Sequence, residues 1–177
     1  MTRVDPDGVG LCDDDVHWLS ELPYTILIPR DVMGEDEDTL IVHAGLIPHF
    51  ELQDQKIPTM TTIRDLLPRC DEHGQFTHFE YHNGKVGVSP KVLSNDDAEI
   101  CCNEAVSWAS AWKGPQRIIF GHDAKRKLQL HEGNWATGLD TGAVYGGKLT
   151  GIILPERKLV SVQSKEYSPI KTKKKSV

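Results

Sequence analysis

The sequence lacks the long apolar runs and the cysteine patterns that mark several common protein classes. No stretch approaches the roughly 18 to 20 apolar residues that a membrane-spanning helix needs, and the first residues lack the apolar core of a signal peptide. The four cysteines have no zinc-knuckle spacing, and the adjacent pair Cys101-Cys102 suits no simple disulfide framework. These absences predict a cytoplasmic, reducing environment and no membrane partner.

The charge balance excludes a second group of functions. The formal net charge is −6, with 26 acidic residues against 20 Lys and Arg, which argues against a general nucleic-acid binder. The glycines of GVGLCD are not followed by the Lys-Ser or Lys-Thr of a nucleotide-binding P-loop. A phosphate-binding function, if present, must therefore use other residues.

Length and composition favour one globular domain. With 177 residues and 38% hydrophobic content, the chain is long enough for one buried core and short for two. We expect residues 1–11 and the basic segment 164–177 to be disordered, with the folded domain at 12–163. For the basic end, KTKKKSV, the alternative is a segment that recruits anions.

Apolar periodicity predicts a mixture of helices and strands, of class α/β or α+β. Helices are predicted where CDDDVHWLSEL, PTMTTIRDLL and NEAVSWASAW place apolar residues at helical spacing. Strands are predicted at YTILIP, TLIVHAG, RIIFG, LTGIILP and KLVSV, and a hairpin turn at Asn83-Gly84. Trp18, Trp108 and Trp112 fall on predicted helix faces and are expected in the core.

Two of the predicted strands end in a histidine beside a glycine. LIVHAG carries His43, and IIFGH carries His122. If both strands belong to one sheet, the two imidazoles can meet at one of its ends, and imidazole is a common metal ligand. The alternative for each histidine is a hydrogen-bonded structural role, and the pattern alone does not choose between them.

The stretches LIVHAGLIP, WKGPQRIIFGHDAKRKLQL and ATGLDTGAVYGGKLT resemble the C-terminal half of the calcineurin-like metallophosphoesterases, and among these the ApaH-like phosphatases. The resemblance covers roughly residues 12 to 162 and implies part of a four-layer α/β/β/α sandwich at 12–163. It implies two divalent ions, Mn, Fe or Zn, with His43 and His122 ligating the same ion. It also implies hydrolysis of a phosphomonoester or phosphoanhydride. The substrates of the family include dinucleoside polyphosphates and other phosphorylated small molecules, polyphosphate, capped RNA and phosphoproteins.

The sequence departs from this family at the motifs expected before HAG, which are GDxHG, GDxxxRG and GNH followed by Asp or Glu. It contains no Gly-Asp dipeptide, and its only Gly-Asn, Gly133-Asn134, lies after His122. No catalytic residue is therefore assigned, because the leaving-group histidine and the bridging aspartate belong to those motifs. We expect a fragment that is inactive alone and depends on a missing N-terminal half. The alternatives are a noncatalytic binding or regulatory module of the same fold, and a site completed by a second polypeptide.

Four further residues are weaker candidates. By resemblance, Asp140 and Tyr145 border the site, where the ring can contact a nucleobase or phosphate; the alternative is a glycine-rich turn with Tyr145 packed on the sheet. Asp123 is expected to orient His122, and Arg126 to bind an anionic substrate. The alternative for Asp123 and Arg126 is a surface ion pair.

Overall fold

The computed structural model describes residues 11–73, 76–82, 104–131, 133 and 135–165. Across these ranges, no helix combines the length and apolar character needed to cross a membrane. The predicted disordered segments 1–11 and 164–177 lie almost wholly outside the described residues, as does the turn predicted at Asn83-Gly84.

The described residues form a mixed α/β fold with three sheets and few helices, in agreement with the predicted class. The helices are short: α1 (Asp13–Ser20), α2 (Arg30–Met33), α3 (Ile57–Thr62) and α4 (Trp108–Ala111), with one 3-10 turn at Leu52–Asp54. The strands, in chain order, are β1 (Thr25–Ile28), β2 (Thr39–Val42), β3 (Asp65–Cys70), β4 (Phe76–His82), β5 (Val106–Ser107), β6 (Arg117–Phe120), β7 (Gln129–Leu130), β8 (Ala136–Gly138), β9 (Lys148–Ile153) and β10 (Lys158–Gln163).

The largest sheet positions the predicted site. Its strand order is β1-β2-β6-β8-β7, in which β2 pairs parallel with β6 and β6 pairs parallel with β8. β1 and β7 are antiparallel edge strands. Because three central strands run the same way, their carboxyl ends meet at one edge of the sheet, where open α/β sheets commonly bind ligands.

The two smaller sheets are antiparallel. In one, β3 lies between β4 and β5. In the other, β9 and β10 pair over their full length, from Lys148 opposite Gln163 to Ile153 opposite Lys158. The strands predicted at TILI, TLIV, RIIF, LTGII and KLVSV are therefore present, and β7 and β8 are short strands that the sequence pattern did not predict.

The core is built around Trp108. Its side chain is 1% exposed and contacts the edge of Phe120, with ring centroids 4.7 Å apart. Trp112 lies against it at 6.4 Å, and apolar side chains of β2, β3 and β6 complete the cluster. A Cβ atom at Gly45 would overlap the Trp108 indole, so the glycine of HAG is required here by core packing.

Three predictions about helices are wrong in part. α1 forms as predicted, but none of its residues is buried and Trp18 is 62% exposed, so this tryptophan is not a core residue, unlike Trp108 and Trp112. The helix predicted over PTMTTIRDLL ends at Thr62, and Leu66 and Leu67 belong to β3. Leu67 precedes Pro68, and a residue before proline is disfavoured in a helix. The described residues of NEAVSWASAW, 104–112, form the short strand β5 and the single helical turn α4 instead of one continuous helix.

Candidate functional site

His43 and His122 come together at the carboxyl ends of neighbouring parallel strands. His43 directly follows β2, and His122 follows β6 after one residue, Gly121. The Gly121 amide donates to the His43 carbonyl at 2.9 Å, which extends the pairing of the two strands to the histidines. His43 Nε2 lies 3.2 Å from His122 Nδ1, and the ring centroids are 5.0 Å apart. The two imidazoles therefore point one nitrogen each at the same place.

This separation suits two ligands of one metal ion. Nitrogen ligands lie about 2.0 to 2.1 Å from a divalent transition ion, so two of them at an angle of about 90 to 110° are roughly 2.8 to 3.4 Å apart. A direct hydrogen bond between one protonated and one unprotonated nitrogen also fits 3.2 Å. The geometry is compatible with both, and the His43 side chain is exposed while His122 is half-buried.

The backbone at His122 is strained. Its φ is 67°, in the left-handed region that few residues other than glycine adopt. The Asp123 amide donates to the Gly121 carbonyl at 2.8 Å, which closes a three-residue turn around His122. Such a conformation costs on the order of 1 to 3 kcal/mol and persists where surrounding contacts hold it. The turn aims the imidazole at His43 instead of along the strand.

The surroundings keep His122 neutral, the form that binds a metal. Burial lowers its pKa, and the positive charge of Arg64 and the proximity of His43 lower it further. Asp123 and the Thr62 carbonyl raise this pKa, but to a smaller extent. The second ring nitrogen, Nε2, is buried and has no well-aligned hydrogen bond among the described residues, although the Thr62 carbonyl lies near enough to affect the pKa.

Asp123 and Arg126 form an ion pair, but it is not a surface pair. The Asp123 side chain is 6% exposed and is held by Arg126 Nη1, while Arg126 Nη2 donates to Asp65 Oδ1 at 2.6 Å. The pKa of Arg126 is raised above its ordinary value, because these two carboxylates outweigh the effect of burial. Arg126 is thus engaged with two carboxylates, and no hydrogen bond joins Asp123 to the described atoms of His122.

Arg64 was not predicted as a site residue, yet its side chain contacts the backbone of His122. Its Nη2 donates to the His122 carbonyl at 3.3 Å, and its Nε lies 3.9 Å from Asp123 Oδ1. Its neighbour Asp65 binds Arg126. Arg64, just before β3, and Asp65, its first residue, therefore hold the GHDAKR loop at both ends. The cost of straining His122 is offset by these contacts.

Asp140 follows β8, the third parallel strand, at the same edge of the sheet. Its Oδ1 accepts a hydrogen bond from the Gly142 amide at 3.1 Å, so the carboxylate shapes the turn in GLDTG. A cavity of about 400 Å³ lies at this edge, and its lining includes both histidines, Asp140 and Lys148. Tyr145 is 63% exposed and is not packed on the sheet, nor is it among the cavity-lining residues.

A buried glutamine shapes the loop after His43. Gln55 Oε1 accepts from the Ile47 amide at 3.0 Å, and its Nε2 donates to the carbonyls of Ile47 at 2.8 Å and Phe50 at 3.2 Å. One buried amide side chain thereby binds three backbone groups of the same loop. No local sequence signal indicated this role, because Gln55 lies in a polar segment typical of an exposed loop.

Within the part of the chain that the structure describes, the site brings together two potential metal ligands, His43 and His122. Among the residues that the structure describes, no group of three or more His, Cys, Asp or Glu side chains is placed to hold an ion. A divalent transition ion in a protein site usually has at least three protein ligands. The two imidazoles therefore fit part of a ligand set.

The fold and the sequence of this chain are similar to those of known proteins. No family model matches the chain. A solved structure of a protein assigned as a diadenosine tetraphosphatase superposes with a TM-score of 0.64 at 28% identity, over 90% of this chain and 59% of that chain. The fold is thus that of a diadenosine tetraphosphatase-like protein.

The curated relatives carry names of the same kind as this solved structure. The asymmetrical bis(5'-nucleosyl)-tetraphosphatase PrpE of one Bacillus cereus strain is 42% identical over 131 residues, 73% of this chain and 42% of that protein. PrpE of Bacillus thuringiensis subsp. konkukian is 44% identical over 57 residues, 32% of this chain and 22% of that protein. The chain spans less than half the length of these relatives. Over the part that they cover, it is related to the ApaH-like metallophosphoesterases.

Proposed function

We propose that this chain provides one side of the metal centre of a bis(5'-nucleosyl)-tetraphosphatase-like hydrolase. His43 Nε2 and His122 Nδ1 would hold the same divalent ion, and the remaining ligands would come from polypeptide outside these 177 residues. The observation that carries the proposal is the 3.2 Å convergence of the two nitrogens. The absence of Gly-Asp motifs in the sequence is the reason for placing the other ligands elsewhere.

A bound pair of divalent ions supplies Lewis-acid polarisation of a phosphoryl oxygen and a more acidic water at neutral pH. The residues of this chain would hold the two imidazoles in position. The strained turn at His122 and the bond from Gly121 to the His43 carbonyl fix the two imidazoles, and the lowered pKa keeps His122 available as a ligand. Manganese, iron and zinc all suit imidazole combined with carboxylates.

We infer that the substrate is a nucleoside polyphosphate. The inference rests on the names of the relatives, bis(5'-nucleosyl)-tetraphosphatase, and on the cations beside the histidines, Arg64 and Lys148. Exposed Tyr145 lies in the loop that follows Asp140 and offers a ring on which a base can stack. Polyphosphate and phosphoproteins present the same terminal phosphoryl chemistry, so the test includes them.

The test is complementation. The chain is co-expressed with the part of a Bacillus cereus PrpE that lies outside the 131 matched residues, and Mn²⁺-dependent hydrolysis of diadenosine tetraphosphate is measured beside polyphosphate and a phosphopeptide. We expect hydrolysis that falls by at least about 100-fold in His122→Ala, because a metal ligand is lost. His17→Ala, at an exposed position of α1, is the control. Hydrolysis that survives His122→Ala would sink the ligand assignment, and a folded complex without hydrolysis would favour the noncatalytic module.

A further inference from the structure

Phe50 places an aromatic ring in solvent on the loop that follows His43. It is 47% exposed, whereas Phe79 and Phe120 are 6% and 2% exposed. The loop begins inside the core, since Ala44, directly after His43, is 1% exposed. The chain therefore leaves the buried end of β2 at the histidine and then presents Phe50 at the surface.

The tip of this loop is held by contacts on both sides of Phe50. Gln55 Nε2 donates to the Phe50 carbonyl at 3.2 Å, and Gln55 Oε1 accepts from the Ile47 amide at 3.0 Å. His49 has a φ of 67°, in the left-handed region, and its ring is parallel to that of Phe79 with centroids 6.4 Å apart. That separation is within the range of aromatic pairs. A strained residue persists where its surroundings hold it, so these contacts fix the backbone that carries the exposed ring.

The segment that carries Phe50 both starts and ends at the histidine pair. It starts directly after His43, and it ends beyond α3 at Arg64, whose Nη2 donates to the His122 carbonyl at 3.3 Å. The Thr62 carbonyl, just before Arg64, is close enough to raise the pKa of His122. A ligand held at the two imidazoles therefore has this segment as a neighbour.

The order of the strands places Phe50 and Tyr145 on opposite sides of His122. β6 lies between β2 and β8, and the three strands are parallel. The loops that follow them leave one edge of the sheet in that order: the first carries Phe50, the second His122 and the third Tyr145, which is 63% exposed. A phosphate chain held at the histidines would have an exposed aromatic ring on each flank.

We propose that Phe50 stacks on one of the two bases of a dinucleoside polyphosphate whose phosphate chain is held at the His43–His122 pair. The assignment rests on the proposed function, which places a nucleoside polyphosphate there and offers Tyr145 to one base. A second base needs a second ring, and Phe50 supplies it from the opposite flank. Every base has a π-face, so such a contact adds affinity for a nucleoside without selecting one base.

The experiment separates binding of the bases from binding of the phosphates on the purified 177-residue chain. Calorimetry with Mn²⁺ present compares diadenosine tetraphosphate with inorganic tetraphosphate, which has four phosphates and no base. The variants are Phe50→Ala, Phe50→Leu and Phe50→Tyr. Leu52→Ala is the matched control, because Leu52 is 43% exposed in the same loop and has no ring.

We expect Phe50→Ala to weaken binding of diadenosine tetraphosphate by about 5- to 100-fold, the range for stacking on one base, and to change tetraphosphate affinity by less than about twofold. Phe50→Leu should lose a similar amount, since it keeps an apolar side chain and has no ring. Phe50→Tyr should retain most of the affinity. Leu52→Ala should change neither affinity. Circular dichroism checks the fold, and Phe50→Leu serves if Phe50→Ala does not fold.

Three results would overturn the stacking assignment. The first is diadenosine tetraphosphate binding that is unchanged in both Phe50→Ala and Phe50→Leu. The second is an equal loss for both ligands, because Phe50 would then only shape the loop beside His43. The third is a loss in Leu52→Ala as large as that in Phe50→Ala, which would indicate a general apolar contact.

The two ligands also separate this assignment from the proposed function. Wild type that binds both ligands equally overturns the stacking residue and leaves the proposed phosphate and metal site standing. A Phe50-dependent preference for diadenosine tetraphosphate that is the same with and without Mn²⁺ supports the stacking residue and contradicts the proposed metal site. Wild type that binds neither ligand contradicts both.

Discussion

Strands β1 and β2 pair residue by residue and are equally apolar, yet they are buried to very different extents. Leu27 lies opposite Leu40 in the register; Leu27 is 52% exposed and Leu40 is 2% exposed. β2 lies inside the sheet between β1 and β6, whereas β1 is an edge strand. Position in the sheet, which TILI and TLIV do not encode locally, decides the burial. The candidate ligands follow only the interior strands.

The same contrast separates the two ends of the fold. Around Trp108 the apolar side chains are buried in one cluster. The loop that carries His122 is held there by the hydrogen bond from Arg64 to the His122 carbonyl. On α1, β1 and the β9–β10 hairpin, large apolar side chains are exposed: Trp18, Leu19, Ile26, Leu27, Leu149, Val160 and Val162. Substitutions in the packed and the exposed region should therefore differ in their effect on stability.

The largest effect is expected from the two tryptophans. Trp108→Ala should lower the free energy of unfolding by about 3 to 5 kcal/mol, because it leaves a cavity in the core. Trp18→Ala, at an exposed position, should change it by less than about 0.5 kcal/mol. Urea denaturation followed by circular dichroism measures both. Similar losses in the two variants would contradict the division of the molecule into a packed and an exposed region.

A pH-dependent effect is expected at the acidic loop between β1 and β2. Arg157 donates to Glu35, from Nε at 2.5 Å and from Nη2 at 2.8 Å, and the hydrogen bond lowers the pKa of Glu35 below its ordinary 4.5. A carboxyl with a lowered folded pKa stabilises the fold above the unfolded pKa, and this stabilisation is lost as pH falls through the folded value.

Glu35→Gln should therefore reduce stability at pH 7 and flatten the loss of stability below about pH 4.5. Chemical denaturation at pH 7, 5, 4 and 3 compares the two proteins. Asp36→Asn, at an exposed position of the same loop, is the control. An unchanged slope between pH 5 and 3 in Glu35→Gln would mean that another group controls the acid response.

A small effect on stability is expected at Leu27. Leu27→Ala should lower the free energy of unfolding by about 1 kcal/mol or less, since half of the side chain is already in water. Leu40→Ala, its cross-strand partner, should cost about 2 to 5 kcal/mol. Sedimentation of the Leu27 variant should show weaker self-association than wild type, because an exposed edge strand loses apolar surface. Equal destabilisation by the two substitutions would show that β1 is covered in solution.

The histidine pair was predictable because its signal is local. A strand that ends in His beside Gly can be recognised from the chain, and parallel neighbours bring such ends together. The role of Arg64 was not predictable in the same way. Met60, Ile63, Leu66 and Leu67 fit a helical period, so Arg64 was placed on a helix, although Pro68 after Leu67 was a signal against it.

Tertiary contacts explain the remaining differences. Trp18 lies on a real helix, but periodicity does not reveal whether a partner covers that face. The glycine of HAG packs against the Trp108 indole, a neighbour that the local sequence does not reveal. Asp123 and Arg126 were expected as a surface pair or as site residues, and a third residue, Asp65, joins them into a half-buried network. Each of these three features depends on contacts between residues that are distant in the chain.

The central claim is that His43 and His122 bind one and the same ion. Zinc X-ray absorption spectroscopy of the loaded chain counts the imidazoles bound to each ion. We predict two imidazoles per zinc at about 2.0 to 2.1 Å in wild type and one in either His43→Ala or His122→Ala. Fewer than two imidazoles in wild type, or a spectrum that His122→Ala leaves unchanged, would contradict the shared site.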